Sequence, residues 1–251
     1  MSGATLLARN LRNCHATEHQ CSTTFAHVRK GQVMNFGPPD PSLAVQNYQA
    51  LAGNYDASCT RIASIRDETI ALLGLRNGDR VLDVACGTGL SFMQLRSAVG
   101  DMGQVTGIEL SPEMCALARQ RINAATWSNV SVTEGNALTA QVTHQAGAPF
   151  DAVLFHYTQD VLRQPAAIGR LLSLCRPGAR VAVAGFKSAP IWAAPVTVIA
   201  MWRGRKYMTT YEGISAPWDH LASMLGDFQW QSRLLGTGYV GWGHVASHGA
   251  D

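Results

Sequence analysis

Residues 81–91 read VLDVACGTGLS: an apolar, β-branched run carries Asp83, and the chain then breaks into Cys86-Gly87-Thr88-Gly89. Two glycines one residue apart, directly after a strand, leave the backbone bare where a ligand would approach. In an open α/β sheet, ligands bind at the carboxyl ends of the strands, and the next helix offers unpaired N–H groups. A phosphate loop would need Gly-Lys-Ser/Thr, and that lysine is missing. A dinucleotide turn would read G-x-G-x-x-G, but Phe92 stands at its third glycine. Glu109 follows Gly87 by 22 residues, at the end of the next apolar run, QVTGIEL (104–110). An acid there accepts hydrogen bonds from both hydroxyls of a ribose. The spacing therefore asks for an adenosine-like group with something other than a pyrophosphate beside the glycines. Asp83 suits an ammonium group or an ordered water.

Strands and helices in alternation must position these residues. Between Ala57 and Leu75, Ile62, Ile65, Thr69, Leu72 and Leu73 recur at helical spacing, and Asn77-Gly78-Asp79 is expected to end that helix. Residues 81–85 read as a buried strand, 90–99 as a helix and 104–110 as a second strand. Ser111-Pro112-Glu113 is a helix start, with Ser as cap and Pro in the first turn. That helix is expected to bury Met114, Leu117, Ala118 and Ile122. Strands follow at 129–138 (with its loop), 150–157 and 179–186, the last two joined by a helix from Asp160 to Cys175 and a turn at Arg176-Pro177-Gly178. Trp218–Leu225 reads as a helix, and residues 230–247 as a closing hairpin around Gly236-Thr237-Gly238. This order predicts a Rossmann-like α/β fold: a seven-stranded, mostly parallel sheet with helices on both faces and an antiparallel pair at one edge.

Five stretches in order, Asp83–Gly89, Glu109–Met114, Gly135–Ala137, Phe150–Val153 and Arg176–Ala179, resemble the motifs of class I S-adenosylmethionine-dependent methyltransferases. The likeness is nearest the small-molecule branch that includes the ubiquinone/menaquinone C-methyltransferases, and it spans about residues 50–190. It implies S-adenosylmethionine as cofactor. Gly87 and Gly89 would line the methionine part and Glu109 would hold the ribose, with Asp83, Ala85, Cys86 and Leu110 also binding the cofactor. Met114 would pack on the adenine or simply fill the helix core. Ala137 would bond the adenine through its backbone. Asn136 stands where many members carry Asp, and its carbonyl can still accept from the adenine amino group. Asn54-Tyr55-Asp56 resembles the Tyr-Asp pair before the first helix of this branch; Tyr55 would cover the methionine end or be a surface aromatic.

The acceptor side is expected just after the fourth strand, at His156-Tyr157-Thr158-Gln159-Asp160. His156 could contact the cofactor or take a proton. Tyr157 could orient the acceptor or attract the sulfonium through its ring. Both could equally be packed strand-end residues. No Asn/Asp-Pro-Pro-Tyr tetrad is present, which argues against the amide and nucleobase N-methyltransferases that carry it. Trp192, Trp202, Tyr207, Tyr211 and Trp218 enrich an insertion at 187–218 suited to an apolar or aromatic acceptor. Arg203-Gly204-Arg205-Lys206 is a solvated turn or a cradle for an acidic substrate or a lipid headgroup. Three readings stay open: a small-molecule methyltransferase; an enzyme in which the amino-acid part of the cofactor is attacked, with release of methylthioadenosine; and a non-catalytic binder.

The 251 residues, 47% hydrophobic and 15% charged, are ample for one large core, expected over 46–251 behind an N-terminal arm or lid at 1–45. A net charge of +3, with Lys and Arg scattered, argues against nucleic acid. A homodimer stays open. The cysteines at 14, 21, 59, 86, 115 and 175 form no C-x-x-C and suit reduced thiols in a cytoplasm. Cys14, His15, His19 and Cys21 crowd together without a second ligand pair, so no metal is expected. No apolar leader is visible at the N-terminus. Residues 181–202 are apolar, but Lys187, Pro190 and Pro195 interrupt them, so a buried strand and an apolar lid are expected in place of a membrane span.

Overall fold

The computed structural model describes residues 34–142 and 148–246. The Cys14–Cys21 cluster and residues 1–33 of the expected arm lie outside them. The elements below all fall within one unit, Asn35–Asp251.

Seven strands form a single sheet: β1 (Arg80–Val84), β2 (Gln104–Glu109), β3 (Val130–Glu134), β4 (Phe150–His156), β5 (Cys175–Phe186), β6 (Gln229–Arg233) and β7 (Gly238–His244). Their order is β3-β2-β1-β4-β5-β7-β6. Strands β1 to β5 pair in parallel, while β7 runs antiparallel to both β5 and β6. The sheet matches the expected architecture, closing hairpin included. Strand alternation divides the core: Leu82 and Val84 join one apolar cluster with Val153 and Phe155, and Val81 joins the other with Phe92, Leu95 and Val105. The helices are α1 (Pro41–Leu51), α2 (Tyr55–Ser58), α3 (Ala63–Leu72), α4 (Phe92–Val99), α5 (Pro112–Ala124), α6 (Gln159–Leu162), α7 (Pro165–Ser173), α8 (Ala194–Gly204) and α9 (Asp219–Ala222).

Several boundaries differ from expectation for local reasons. The helix expected over 57–75 is broken into α2, a 3-10 turn and α3. The Ser58 and Thr60 hydroxyls donate back to the Tyr55 and Ala57 carbonyls and compete with the helix ladder. It stops at Leu72, because Gly74 takes φ +51 before the Asn77-Gly78-Asp79 turn is reached. The helix after β1 starts at Phe92 and not at Leu90, since the glycine turn extends to Ser91. In α5 Cys115 is buried in the place expected of Leu117, which stays half-buried. The single helix expected from Asp160 to Cys175 is two, because Pro165 cannot continue the ladder of α6 and begins α7, and Cys175 already pairs in β5. The helix expected at 218–225 is a single short one, and Leu225 bridges to Val245. Within the stretch expected as an arm, Pro41 already opens α1, capped by Asp40, whose carboxylate accepts from the Ser42 and Leu43 N–H groups.

The glycine turn is packed against β2 with no spare room. A Cβ on Gly107 would lie 2.6 Å from the Cys86 sulfur and 2.9 Å from the Phe92 ring. Gly107→Val is therefore expected to destabilise the protein by about 1–3 kcal/mol through overpacking. A urea titration checks this; an unchanged midpoint would show that Cys86 and Phe92 yield freely.

Candidate functional site

The carboxyl ends of β1, β2 and β4 meet at the glycine turn. Ala85 and Gly87 both adopt positive φ, +52 and +57, so the chain doubles back as soon as it leaves β1. For Ala85 that conformation is strained, and the Cys86 N–H holds it by donating to the Ile108 carbonyl at 3.0 Å. Glu109 braces the other side. One carboxylate oxygen accepts the Gly87 N–H at 2.9 Å, and the other accepts the Ser111 N–H at 2.8 Å. Burial raises the Glu109 pKa, and these backbone donors pull it back.

A second brace comes from the N-terminal side. Thr88 donates its hydroxyl to Asp56 at 2.6 Å, and Arg121 bonds both Asp56 (2.5 Å) and the Thr88 carbonyl (2.9 Å). This fixes Tyr55 over the turn: a Cβ on Gly87 would lie 3.5 Å from the Tyr55 ring edge and hydroxyl. Tyr48 of α1 and Tyr207 meet the Tyr55 ring edge-on, at 5.9 Å and 6.3 Å. Tyr48 donates to the Tyr207 carbonyl at 2.8 Å. Asp160 completes the roof by accepting the Thr209 N–H and hydroxyl.

The cavity under this roof is lined by Tyr55, Ala85, Gly87, Glu109, Leu110, His156 and Tyr157, all expected site residues, and by Tyr48, Asp160 and Tyr207. Asn136 and Ala137 line an adjoining pocket that shares Ala85, Leu110 and Asp160 with it. The Asn136 side-chain oxygen accepts the Leu138 N–H at 2.8 Å. Four expected residues line neither space. Met114 is fully buried in α5. Cys86 turns its thiol toward Gly107. Gly89 borders an outer groove with Asp56 and Arg121. Asp83 lies beneath the turn, 2% exposed, with one carboxylate oxygen unpartnered. Tyr48 and the Asp160–Thr209 clasp were not among the expected site features. The Asp40-Pro41 helix start was the available signal for the element that carries Tyr48.

Burial strips charge from this site. It raises the Asp83 carboxyl to about 8, against the pull of Arg66. It lowers His156 to about 3, with Arg66 acting in the same direction. The His156 Nε2 and the Tyr157 hydroxyl are buried without a protein partner, and Tyr157 holds φ +57. Among the described residues no cluster of three or more His, Cys, Asp or Glu could hold a metal, and no helix is long and apolar enough to cross a membrane. Because Asp83 binds its proton more tightly in the folded state, it contributes stability that is lost as pH rises from near its usual 3.8 through about 8. Asp83→Asn is expected to flatten the stability profile across that window, as read by urea midpoints at successive pH; an unchanged slope would place the titration elsewhere.

Comparison with known proteins adds to this geometry. The family profile described as "Methyltransferase domain" matches residues 75–216, more than half the chain. A demethylmenaquinone methyltransferase of Shouchella clausii is 32% identical over 115 residues, 44% of this chain and 46% of that protein. One from Bacillus cereus is 30% identical over 36% of this chain and 40% of that protein. The chain thus spans under half the length of these curated relatives. The Bradyrhizobium japonicum N-methyltransferase NodS, solved with S-adenosyl-L-homocysteine, superimposes with a TM-score of 0.59 at 14% identity, covering 81% of this chain and 99% of NodS; this likeness is one of fold. The seven-stranded sheet and the match across residues 75–216 make the chain a member of the methyltransferase-domain family.

Proposed function

We propose that this protein is an S-adenosylmethionine-dependent methyltransferase acting on a small apolar or aromatic metabolite. The observation that carries the reading is the cavity that gathers Gly87, Glu109, Leu110, His156 and Tyr157 under a tyrosine roof. A group with an adenosine end and a cationic end fits it: a carboxylate faces the cavity, a glycine leaves its floor open, and two buried polar atoms lack partners. The named relatives, demethylmenaquinone methyltransferases, favour a ring-bearing apolar acceptor.

The cofactor, when bound, supplies a methyl group activated by a sulfonium centre. In our reading Glu109 receives the ribose hydroxyls. Leu110, Asn136 and Ala137 border the adenine, and Gly87 with Ala85 and Tyr55 encloses the methionine end. The rings of Tyr48, Tyr55 and Tyr207 attract positive charge by their faces and exclude water. His156, held neutral by burial, adds no competing cation; it and Tyr157 orient the acceptor. Methyl transfer is an in-line displacement, so this positioning supplies most of what the protein must do. We assign acceptor selection to residues 187–218, which contribute Tyr207 to the cavity wall. The free thiols of Cys59, Cys86, Cys115 and Cys175 suit a reducing cytoplasm.

Mass spectrometry of the nucleoside products tests the reaction. With S-adenosylmethionine and a small-metabolite extract, S-adenosylhomocysteine is expected to rise only when extract is present, beside a methylated partner. Methylthioadenosine formed without an acceptor would instead show attack within the cofactor. Glu109→Gln is expected to weaken S-adenosylmethionine binding by about tenfold or more, since hydrogen bonds to a charged acceptor contribute roughly 1.5–3 kcal/mol each. Parental affinity by calorimetry would refute the ribose assignment.

A further inference from the structure

The insertion that closes the site presents the wrong face to water. A surface helix ordinarily turns its apolar stripe inward. In the turn before α8 and in α8 itself, Ala193, Thr197 and Met201 face the protein: Ala193 and Met201 are buried, and the Thr197 hydroxyl accepts the Ala189 N–H at 2.9 Å. The opposite stripe is also apolar and it is bare. Ile191 is 93% exposed, Trp192 81%, Val198 57%, Ile199 55% and Trp202 58%. The β6–β7 turn extends this surface. Leu235, at φ +54, is held out at 89% exposure, and a Cβ on the adjoining Gly236 would lie 3.0 Å from Pro190. A left-handed backbone at a leucine is costly, and here it leaves the side chain in the open.

Charge identifies what covers this surface. Residues 187–211 contain Lys187, Arg203, Arg205 and Lys206 and no Asp or Glu, although the whole chain carries only +3. Elsewhere in the chain, acids therefore outnumber bases by one. Lys187 is spent on the Ser188 and Gly236 carbonyls. Arg203 and Lys206 are exposed at the end of α8, and Arg205 stacks on the Trp202 ring at 4.2 Å. Exposed tryptophans and aliphatics next to unopposed cations make up the composition of a helix that lies in a membrane interface. A partner protein with an apolar groove would account for the stripe but would not need the cations. We infer that α8 and the β6–β7 turn form a docking surface for an anionic lipid bilayer, which the protein touches without spanning it. The inference rests on the surface alone, so it stands or falls separately from the proposed reaction.

Co-sedimentation of the full chain with vesicles tests it without cofactor or turnover. Binding to phosphatidylcholine vesicles containing phosphatidylglycerol is expected to exceed binding to phosphatidylcholine alone and to fall as salt is raised. Trp192→Glu combined with Ile199→Glu is expected to reduce partitioning by about tenfold or more. Arg203→Glu with Lys206→Glu is expected to abolish the preference for phosphatidylglycerol. All four side chains are exposed, so unchanged thermal melts serve as the folding control. Failure of the parent to bind either vesicle overturns the inference, as does binding that both variants retain. A parent that is dimeric by sedimentation velocity, dissociated by Trp192→Glu and inert to vesicles, would assign the surface to a second copy of the chain instead.

Discussion

The site depends on one buried carboxylate. Glu109 ends β2 and binds the N–H of Gly87, which follows β1, and the N–H of Ser111, which caps α5. Both donors belong to segments that have left regular structure and would otherwise lack partners. A neutral side chain could not serve both as well, because bonds to a charged acceptor are stronger. Without this bridge the Gly87 N–H would lose its acceptor, and the turn after β1 would keep only the Cys86–Ile108 backbone bond and the brace through Thr88, Asp56 and Arg121. The bridge also leaves the carboxylate at the cavity wall, where it can accept further donors. One residue therefore shapes the turn and faces the ligand space.

Around that carboxylate the protein removes charge. Asp83 is pushed up to about 8 and His156 down to about 3, chiefly because burial disfavours the ionised form of each. Burial also raises the phenols of Tyr48, Tyr55 and Tyr157. His156 and the phenols are poor proton-transfer partners near neutral pH, whereas a general base works best when its pKa lies near the operating pH; Asp83, at about 8, lies beneath the turn and lines neither pocket. The cavity is built to hold and to enclose. That is consistent with a displacement driven by geometry, and less so with chemistry that begins by abstracting a proton.

The inner strands β1, β2, β4 and β5 were legible because they are largely buried and read as near-continuous apolar runs, broken by glycines at the turns. The glycine turn, Glu109 and the end of β4 were legible for the same reason: their positions follow from strand ends. What escaped was decided by tertiary contact. Tyr48 sits on a weakly patterned helix, and its place at the site rests on its ring contact with Tyr55 and on a hydroxyl that finds the Tyr207 carbonyl 159 residues away. Met114 and Cys86 carry motif positions, but the direction of a side chain off a helix or turn is not written in its spacing. One lies wholly inside α5 and the other behind the turn. Helix ends shifted wherever a hydroxyl or a proline competed with the backbone ladder, as at Ser58, Thr60 and Pro165.

The roof and the surface are two sides of one segment. Thr209 binds Asp160 and also accepts the Asp40 N–H, Thr210 donates to the Gly37 carbonyl, and Tyr211 donates its hydroxyl to the Met201 carbonyl. The chain from α8 to Tyr211 is thus tied on its inner side to the end of β4 and to the approach to α1. The outer side of α8 carries Val196, Val198, Ile199 and Trp202, all exposed. An apolar stripe that folding leaves uncovered forgoes roughly 25 cal/mol for each Å² it could have buried. α8 is held along its inner face, through Thr197 and Met201, and its apolar outer side is left for something outside the chain.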